Sequence, residues 1–153
     1  MYFSYNLLIP LLILLPNLLF VALLPLKMPS LEKEETMWLI FEKIGQVGVF
    51  SLPLFNMLHF DTAVKQAAFA IMIMNLAVYY FCWWRFFWNK RQYTWLFQPL
   101  GIIPIPMAIM PVFYFLAAAI IMESLPMFLV AVCLGVGHFP ISYKSYIQMK
   151  SLK

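Results

Sequence analysis

The order of apolar and polar positions divides the chain into long apolar runs joined by short polar connections. A helix that crosses a membrane needs about 20 consecutive, mostly apolar residues. Runs of about this length cover residues 2–26, 37–59, 67–88, 104–122 and 125–143. The pattern therefore predicts an all-α fold, in which residues 1–153 form a single integral membrane domain. That domain is a polytopic bundle of five transmembrane helices.

Residues 93–103 leave a second arrangement open. They are apolar, but Gln98, Pro99 and Gly101 interrupt them. This segment is predicted to be interfacial or re-entrant, and four helices plus a re-entrant segment is the alternative fold. The alternative would place two basic clusters on opposite faces of the membrane, which argues for the five-helix arrangement.

Lysine and arginine predict which way the helices run. The connections after spans one and three and the carboxyl-terminal tail hold eight basic residues: Lys27, Lys33, Arg85, Lys90, Arg91, Lys144, Lys150 and Lys153. The connection after span two holds Lys65 alone. Because cytoplasmic connections carry the excess of basic residues, the amino terminus is predicted outside and the carboxyl terminus in the cytoplasm.

The composition supports a membrane and excludes a soluble domain. Hydrophobic residues make up 65% of the chain and charged residues 10%, against about 25% charged residues in typical soluble domains. The net charge of +4 lies beside apolar spans, where it meets anionic headgroups, so it does not indicate nucleic-acid binding. The predicted partner is the lipid bilayer, with a homo-oligomer or a membrane protein partner as a hypothesis.

One stripe of span two carries polar and small residues where the surroundings are apolar. Its members are Glu42, Gln46, Pro53 and Asn56. Their spacing of four, seven and three residues is typical of one helix face. Gly45 and Gly48 lie beside this stripe, and small residues there favour a close approach by a neighbouring helix. We expect this face to point into the bundle.

Span five carries a second stripe, and a depth count connects it with the first. Its members are Ala131, Gly135, His138 and Ser142. Counted from the cytoplasmic ends, Glu42, Arg85 and His138 lie at one level. The sequence therefore predicts a polar pocket open to the cytoplasm. Its candidate residues are Glu42, Gln46, Arg85 and His138. In a purely structural interpretation, Glu42 pairs with Arg85 or Lys43.

Other polar residues within the spans are predicted to join helices. Asn17, Asn56 and Asn75 are candidates for hydrogen bonds between helices. Span one also contains Pro16, which removes a backbone donor, so a neighbouring group has to satisfy the freed carbonyl. His59 and Asp61 supply only two of the ligands that a metal site needs, and neither a metal nor a cofactor is predicted.

Four strings of the sequence carry a resemblance. They are Leu15–Phe20 (LPNLLF), Phe41–Gln46 (FEKIGQ), Gly101–Ala108 (GIIPIPMA) and Gly137–Tyr143 (GHFPISY). Together they resemble an uncharacterised family of small bacterial multi-span membrane proteins. The resemblance implies the bacterial cytoplasmic membrane, and it implies no activity, cofactor or residue role.

The sequence favours a non-enzymatic interaction or accessory subunit, because common catalytic motifs are missing and the connections are short. Two alternatives stay open. The first is a small-solute transporter or permeation subunit, since proline-broken spans line substrate sites in transporters. The second is a membrane-embedded lipid-modifying enzyme, with Glu42 and His138 as acid and base and Arg85 on an anionic headgroup.

Overall fold

The computed structural model describes residues 6–23 and 36–151. Within these ranges the fold is all-α, as the sequence predicts, with five α-helices and two short 3-10 turns. The helices are α1 (Leu8–Ala22), α2 (Thr36–Ser51), α3 (Ala63–Trp88), α4 (Pro106–Ile121) and α5 (Leu125–Ser151), and the turns are Leu52–Phe55 and Tyr93–Phe97. Several predicted positions lie outside the described residues. They are the span limits at 2–5 and 24–26 and all but the last residue of the connection from Lys27 to Thr36.

Three helical segments are long and apolar enough to cross a membrane. They are Thr36–Phe55 with 20 residues, Ala63–Trp88 with 26 and Leu125–Ser151 with 27. The other two helices are apolar but shorter, with 15 residues in α1 and 16 in α4. At a rise of about 1.5 Å per residue they measure about 22 and 24 Å.

Local chemistry moves two helix starts from their predicted positions. Helix α3 begins at Ala63 instead of residue 67, because the Thr62 hydroxyl accepts a hydrogen bond from the Lys65 backbone N–H at 3.3 Å and caps the first turn. Helix α4 begins at Pro106 instead of residue 104. Two backbone hydrogen bonds between Leu100 and Ile103 hold the preceding residues in a turn.

Two helix ends also differ from the prediction. Helix α2 ends at Ser51 and continues only as the turn Leu52–Phe55, because Pro53 has no backbone N–H for a regular helical hydrogen bond. Helix α5 does not stop at residue 143 and runs to Ser151. A helix satisfies its own backbone groups in water as well as in lipid, so a membrane boundary by itself does not end it.

Glycines on α2 allow close contact with α5. A Cβ added to Gly45 would lie 2.7 Å from the Leu134 Cβ and would also collide with the Leu134 backbone. A Cβ added to Gly48 would lie 2.5 Å from the Val130 Cβ. The close approach predicted at these two positions is confirmed, and the neighbouring helix is α5.

On α5 the contact with α2 uses a glycine outside the predicted stripe. A Cβ at Gly137 would lie 2.7 Å from the Glu42 Cα, whereas a Cβ at Gly135 would meet the Val112 Cγ1 of α4 at 3.1 Å. Within the predicted stripe, Gly135 therefore faces α4, whereas Leu134 and Gly137 lie on the face that packs on α2.

Helix α4 occupies the centre of the bundle and packs on α3 and α5. Eleven of its sixteen residues are buried, including Tyr114 and Phe115. The outer surface of the other helices exposes large apolar side chains such as Val47 and Val64. A soluble monomer rarely exposes a large contiguous apolar surface, and these exposed apolar side chains are compatible with a membrane protein.

Tyrosine hydroxyls attach α1 to the rest of the bundle. Pro16 has no N–H for the Leu12 carbonyl, and the Tyr80 hydroxyl donates to that carbonyl at 2.8 Å instead. Tyr114 donates to the carbonyl of Ile9 at 3.1 Å. The sequence predicts that a neighbouring group satisfies the carbonyl freed by Pro16. The structure confirms this prediction, and the donor, Tyr80, lies on α3.

An ionic cluster joins the start of α3 to the turn between α4 and α5. Lys65 Nζ lies 2.6 Å from Asp61 Oδ1 and 2.6 Å from Glu123 Oε1. The Lys65 side chain is buried, whereas both carboxylates are exposed. The hydrogen bond from Lys65 holds the pKa of Asp61 below its ordinary value.

Candidate functional site

Glu42 of α2 and His138 of α5 meet inside the bundle. Glu42 Oε1 and His138 Nδ1 are 2.6 Å apart and share a hydrogen bond. Gly137 directly precedes His138, and its contact with the Glu42 backbone fixes the distance between the two helices at this level. The tight packing of α2 on α5 therefore sets the geometry of the pair.

The surroundings of the pair explain why Glu42 has a partner. The Glu42 side chain is 11% exposed and the His138 side chain 30%. A buried carboxylate without a partner costs several kcal/mol. When Nδ1–H donates to Glu42, Nε2 accepts in the neutral imidazole and donates in the imidazolium. The hydrogen bond from the His138 ring thus gives the Glu42 carboxylate a partner inside the bundle.

A cavity of about 530 Å³ lies beside this pair, in the middle of the bundle. All five helices and the turn Tyr93–Phe97 contribute to its wall. Most of the lining is apolar. The polar side chains on the wall include Asn17, Gln46, Tyr79, His138, Ser142 and Ser145. Binding sites for small molecules typically measure about 300–1,000 Å³ and combine an apolar wall with a few polar groups, so the cavity is suited to a small, mainly apolar ligand.

Three of the four residues of the predicted pocket come together. Gln46 and His138 line the cavity, and Glu42 is hydrogen-bonded to His138. Arg85 lies elsewhere, because its guanidinium Nη1 donates to the Pro99 carbonyl at 3.4 Å and its Cζ lies 5.1 Å from the centre of the Trp95 ring. Accordingly, Glu42 is bound by His138 and not by Arg85 or Lys43.

The three asparagines differ in what they join. The Asn17 amide donates to the Tyr79 hydroxyl at 2.8 Å and so connects α1 with α3 at the cavity wall. The amides of Asn56 and Asn75 donate to carbonyls four residues earlier in their own segments. Asn6 donates to the Asn56 backbone carbonyl. Of the three predicted asparagines, Asn17 is therefore the one whose side chain joins two helices.

Sequence reasoning missed the contribution of α3 to the cavity. Tyr79 and Trp83 line the wall, and neither is among the pocket residues that the sequence predicts. A signal was present, because both residues are separated by four positions and share a helix face with Asn75. Within the described ranges, no group of three or more His, Cys, Asp or Glu residues could hold a metal ion.

No protein-family model, curated protein or solved structure matches this chain. The resemblance to small bacterial membrane proteins stays a prediction, and the cavity with its Glu42–His138 pair is the basis for inferring a function.

Proposed function

We propose that this protein binds a small, mainly apolar molecule in the cavity between its five helices. The observation that carries the proposal is the cavity of about 530 Å³ beside the Glu42–His138 pair. A cavity of this size in a small bundle removes packing contacts and costs stability. Residues from every helix of the described chain surround it, so a bound molecule would contact the whole bundle.

We further propose that all five helices cross a bacterial cytoplasmic membrane, with the amino terminus outside and the carboxyl terminus in the cytoplasm. The distribution of lysine and arginine supports this orientation. Three segments have the required length. Helix α4 is shorter than the hydrocarbon core, but it is largely buried by its neighbours, so its ends need not reach both interfaces through lipid.

Among the functions that the sequence leaves open, the cavity favours a small-solute transporter or permeation subunit. A central chamber bounded by helices with internal proline fits a protein that holds a solute at membrane depth. Pro111 lies within α4 and lines this chamber, and Pro16 lies within α1, which contributes Asn17 to the wall. The lipid-modifying enzyme has less support, since Arg85 is bound to Pro99 and Trp95 away from the pair. The accessory-subunit interpretation stays a prediction.

Binding to the cavity is testable with a substitution that fills it. Ala108 is buried and lines the chamber, so Ala108→Phe places a ring inside it. Ala70 is exposed on α3, and Ala70→Phe adds the same ring to the outside as the matched control. Equilibrium dialysis of tert-butylbenzene between protein-loaded and empty nanodiscs measures binding above the background of lipid partitioning.

We expect saturable binding by the unmodified protein and by Ala70→Phe, and loss of binding by Ala108→Phe. Circular dichroism and gel filtration show whether both variants keep the fold. Equal uptake by loaded and empty nanodiscs, both of tert-butylbenzene and of a charged probe of the same shape, would refute the proposed function. Undiminished binding by a folded Ala108→Phe variant would show that the probe occupies another part of the protein.

A further inference from the structure

Seven of the 22 residues that line the cavity are aromatic. They include Phe20, Phe50, Tyr79, Trp83, Phe97 and Phe115, contributed by four helices and the turn Tyr93–Phe97. The face of an aromatic ring carries negative electrostatic potential and attracts cations, most strongly where water is excluded. Several rings around one chamber are the arrangement by which proteins bind quaternary ammonium groups.

The charged side chains near the cavity also favour a cationic ligand. The described residues on its wall include neither lysine nor arginine. Arg85, on the helix that contributes Tyr79 and Trp83, directs its guanidinium to Pro99 and Trp95, neither of which lines the cavity. Among the described residues, Glu42 is the carboxylate beside this wall, and it is hydrogen-bonded to the lining residue His138.

We propose that the ligand of the cavity is a lipophilic organic cation, which binds among the aromatic rings with its positive charge toward the Glu42–His138 pair. The inference rests on the proposed function, since it names the chemical class of the molecule in that same cavity. The apolar wall accepts the hydrocarbon part, and the carboxylate compensates the charge that the membrane interior would otherwise disfavour.

The test compares two probes of nearly identical shape that differ in charge. Phenyltrimethylammonium carries a quaternary nitrogen where tert-butylbenzene carries a quaternary carbon. Each is dialysed between protein-loaded and empty nanodiscs of zwitterionic lipid, which removes attraction to anionic headgroups. We expect the cation to bind about 10- to 100-fold more tightly than the neutral probe, from combined ring and carboxylate attraction at an effective dielectric constant of about 20.

Two glutamate variants distinguish the effect of the Glu42 charge on cation binding from the effect of the total charge of the protein. Glu42→Gln removes the carboxylate but keeps an oxygen that accepts the His138 N–H. Glu123→Gln makes the same change in the ionic cluster with Lys65, at the other end of the bundle from the cavity wall. We expect Glu42→Gln to lose most of the preference for the cation and Glu123→Gln to retain it.

Binding of the neutral probe serves as the fold control in each variant. If the unmodified protein binds both probes equally, the cation proposal is wrong and the proposed function stands. If it binds neither probe, the proposed function itself is wrong. A preference for the cation that survives Glu42→Gln in a variant that still binds tert-butylbenzene would also overturn the assignment of the charge to this pair.

Discussion

Replacing Gly137 by alanine should loosen the helix pair that holds the candidate site together. The added Cβ would lie 2.7 Å from the Glu42 Cα, whereas carbon atoms in favourable contact are about 3.5–4.0 Å apart. Helices α2 and α5 must then separate by about 1 Å. The same movement would lengthen the 2.6 Å contact between Glu42 and His138 to about 3.6 Å, which is beyond hydrogen-bonding distance.

The expected loss of stability follows from these distances. Inserting a methyl group into a tightly packed interior costs about 1–3 kcal/mol, and the lost hydrogen bond adds about 1 kcal/mol. Alanine returns about 1 kcal/mol through its higher helix propensity. The free energy of unfolding should therefore fall by about 1–3 kcal/mol in Gly137→Ala.

Gly135→Ala is the matched control on the same helix. It gives the same gain in helix propensity, but its Cβ would lie 3.1 Å from the Val112 Cγ1 and 3.6 Å from the Phe139 ring. The Val112 side chain can move by a few tenths of an ångström, and the contact with Phe139 is an ordinary one. We expect its free energy of unfolding to change by less than about 1 kcal/mol.

Denaturation in mixed micelles with increasing sodium dodecyl sulfate, followed by circular dichroism, measures both variants. The ¹⁵N NMR signals of the His138 ring report whether the hydrogen bond to Glu42 persists. If Gly137→Ala is as stable as Gly135→Ala and its His138 signals are unchanged, the backbones of α2 and α5 do not touch as described. The packing at Gly137 then does not set the distance between Glu42 and His138.

Three further predictions concern other parts of the fold. Tyr80→Phe leaves the Leu12 carbonyl without its donor and should lower the free energy of unfolding by about 1 kcal/mol; the exposed Tyr143→Phe should leave it unchanged in the same micelle titration. Asp61 should titrate below its ordinary pKa in carboxyl ¹³C NMR, so its stabilising contact is complete above that ordinary value and is lost as pH falls through the lowered pKa; Lys65→Met should raise the pKa of Asp61 toward its ordinary value, and an unshifted Asp61 in the unmodified protein would contradict the contact. Reporter fusions should place the two termini on opposite sides of the membrane, and finding both on one side would refute five crossings.

The apolar runs predicted the order of the five helices in residues 6–23 and 36–151, and three of these helical segments are long and apolar enough to cross a membrane. The helix limits were less predictable. Local groups fix them, such as the Thr62 cap of α3 and Pro53 after α2, and these contribute little to the average hydropathy. Helix α5 continues to Ser151 through residues that can also form a helix in water.

The level of the candidate site residues along their helices was predictable from the sequence, but the direction in which each side chain points was not. Counting residues from the helix ends placed Glu42, Arg85 and His138 at one level, and the first and last of these do meet. Depth does not fix how a helix is rotated about its axis. That rotation sends Arg85 to Pro99 and brings Trp83 to the cavity. It depends on contacts such as the one at Gly137, whose partners are far apart in the sequence.

The attachment of α1 through tyrosine hydroxyls has a consequence for biogenesis. Tyr80 follows Leu12 by 68 residues, so in the five-crossing arrangement that we propose, α1 enters the membrane well before the donor for its freed carbonyl has been synthesised. Until α3 is inserted, that carbonyl needs water or the insertion machinery as a temporary partner. Helix α1 can therefore dock in its final position only after α3 has left the ribosome, and the cavity closes late in assembly.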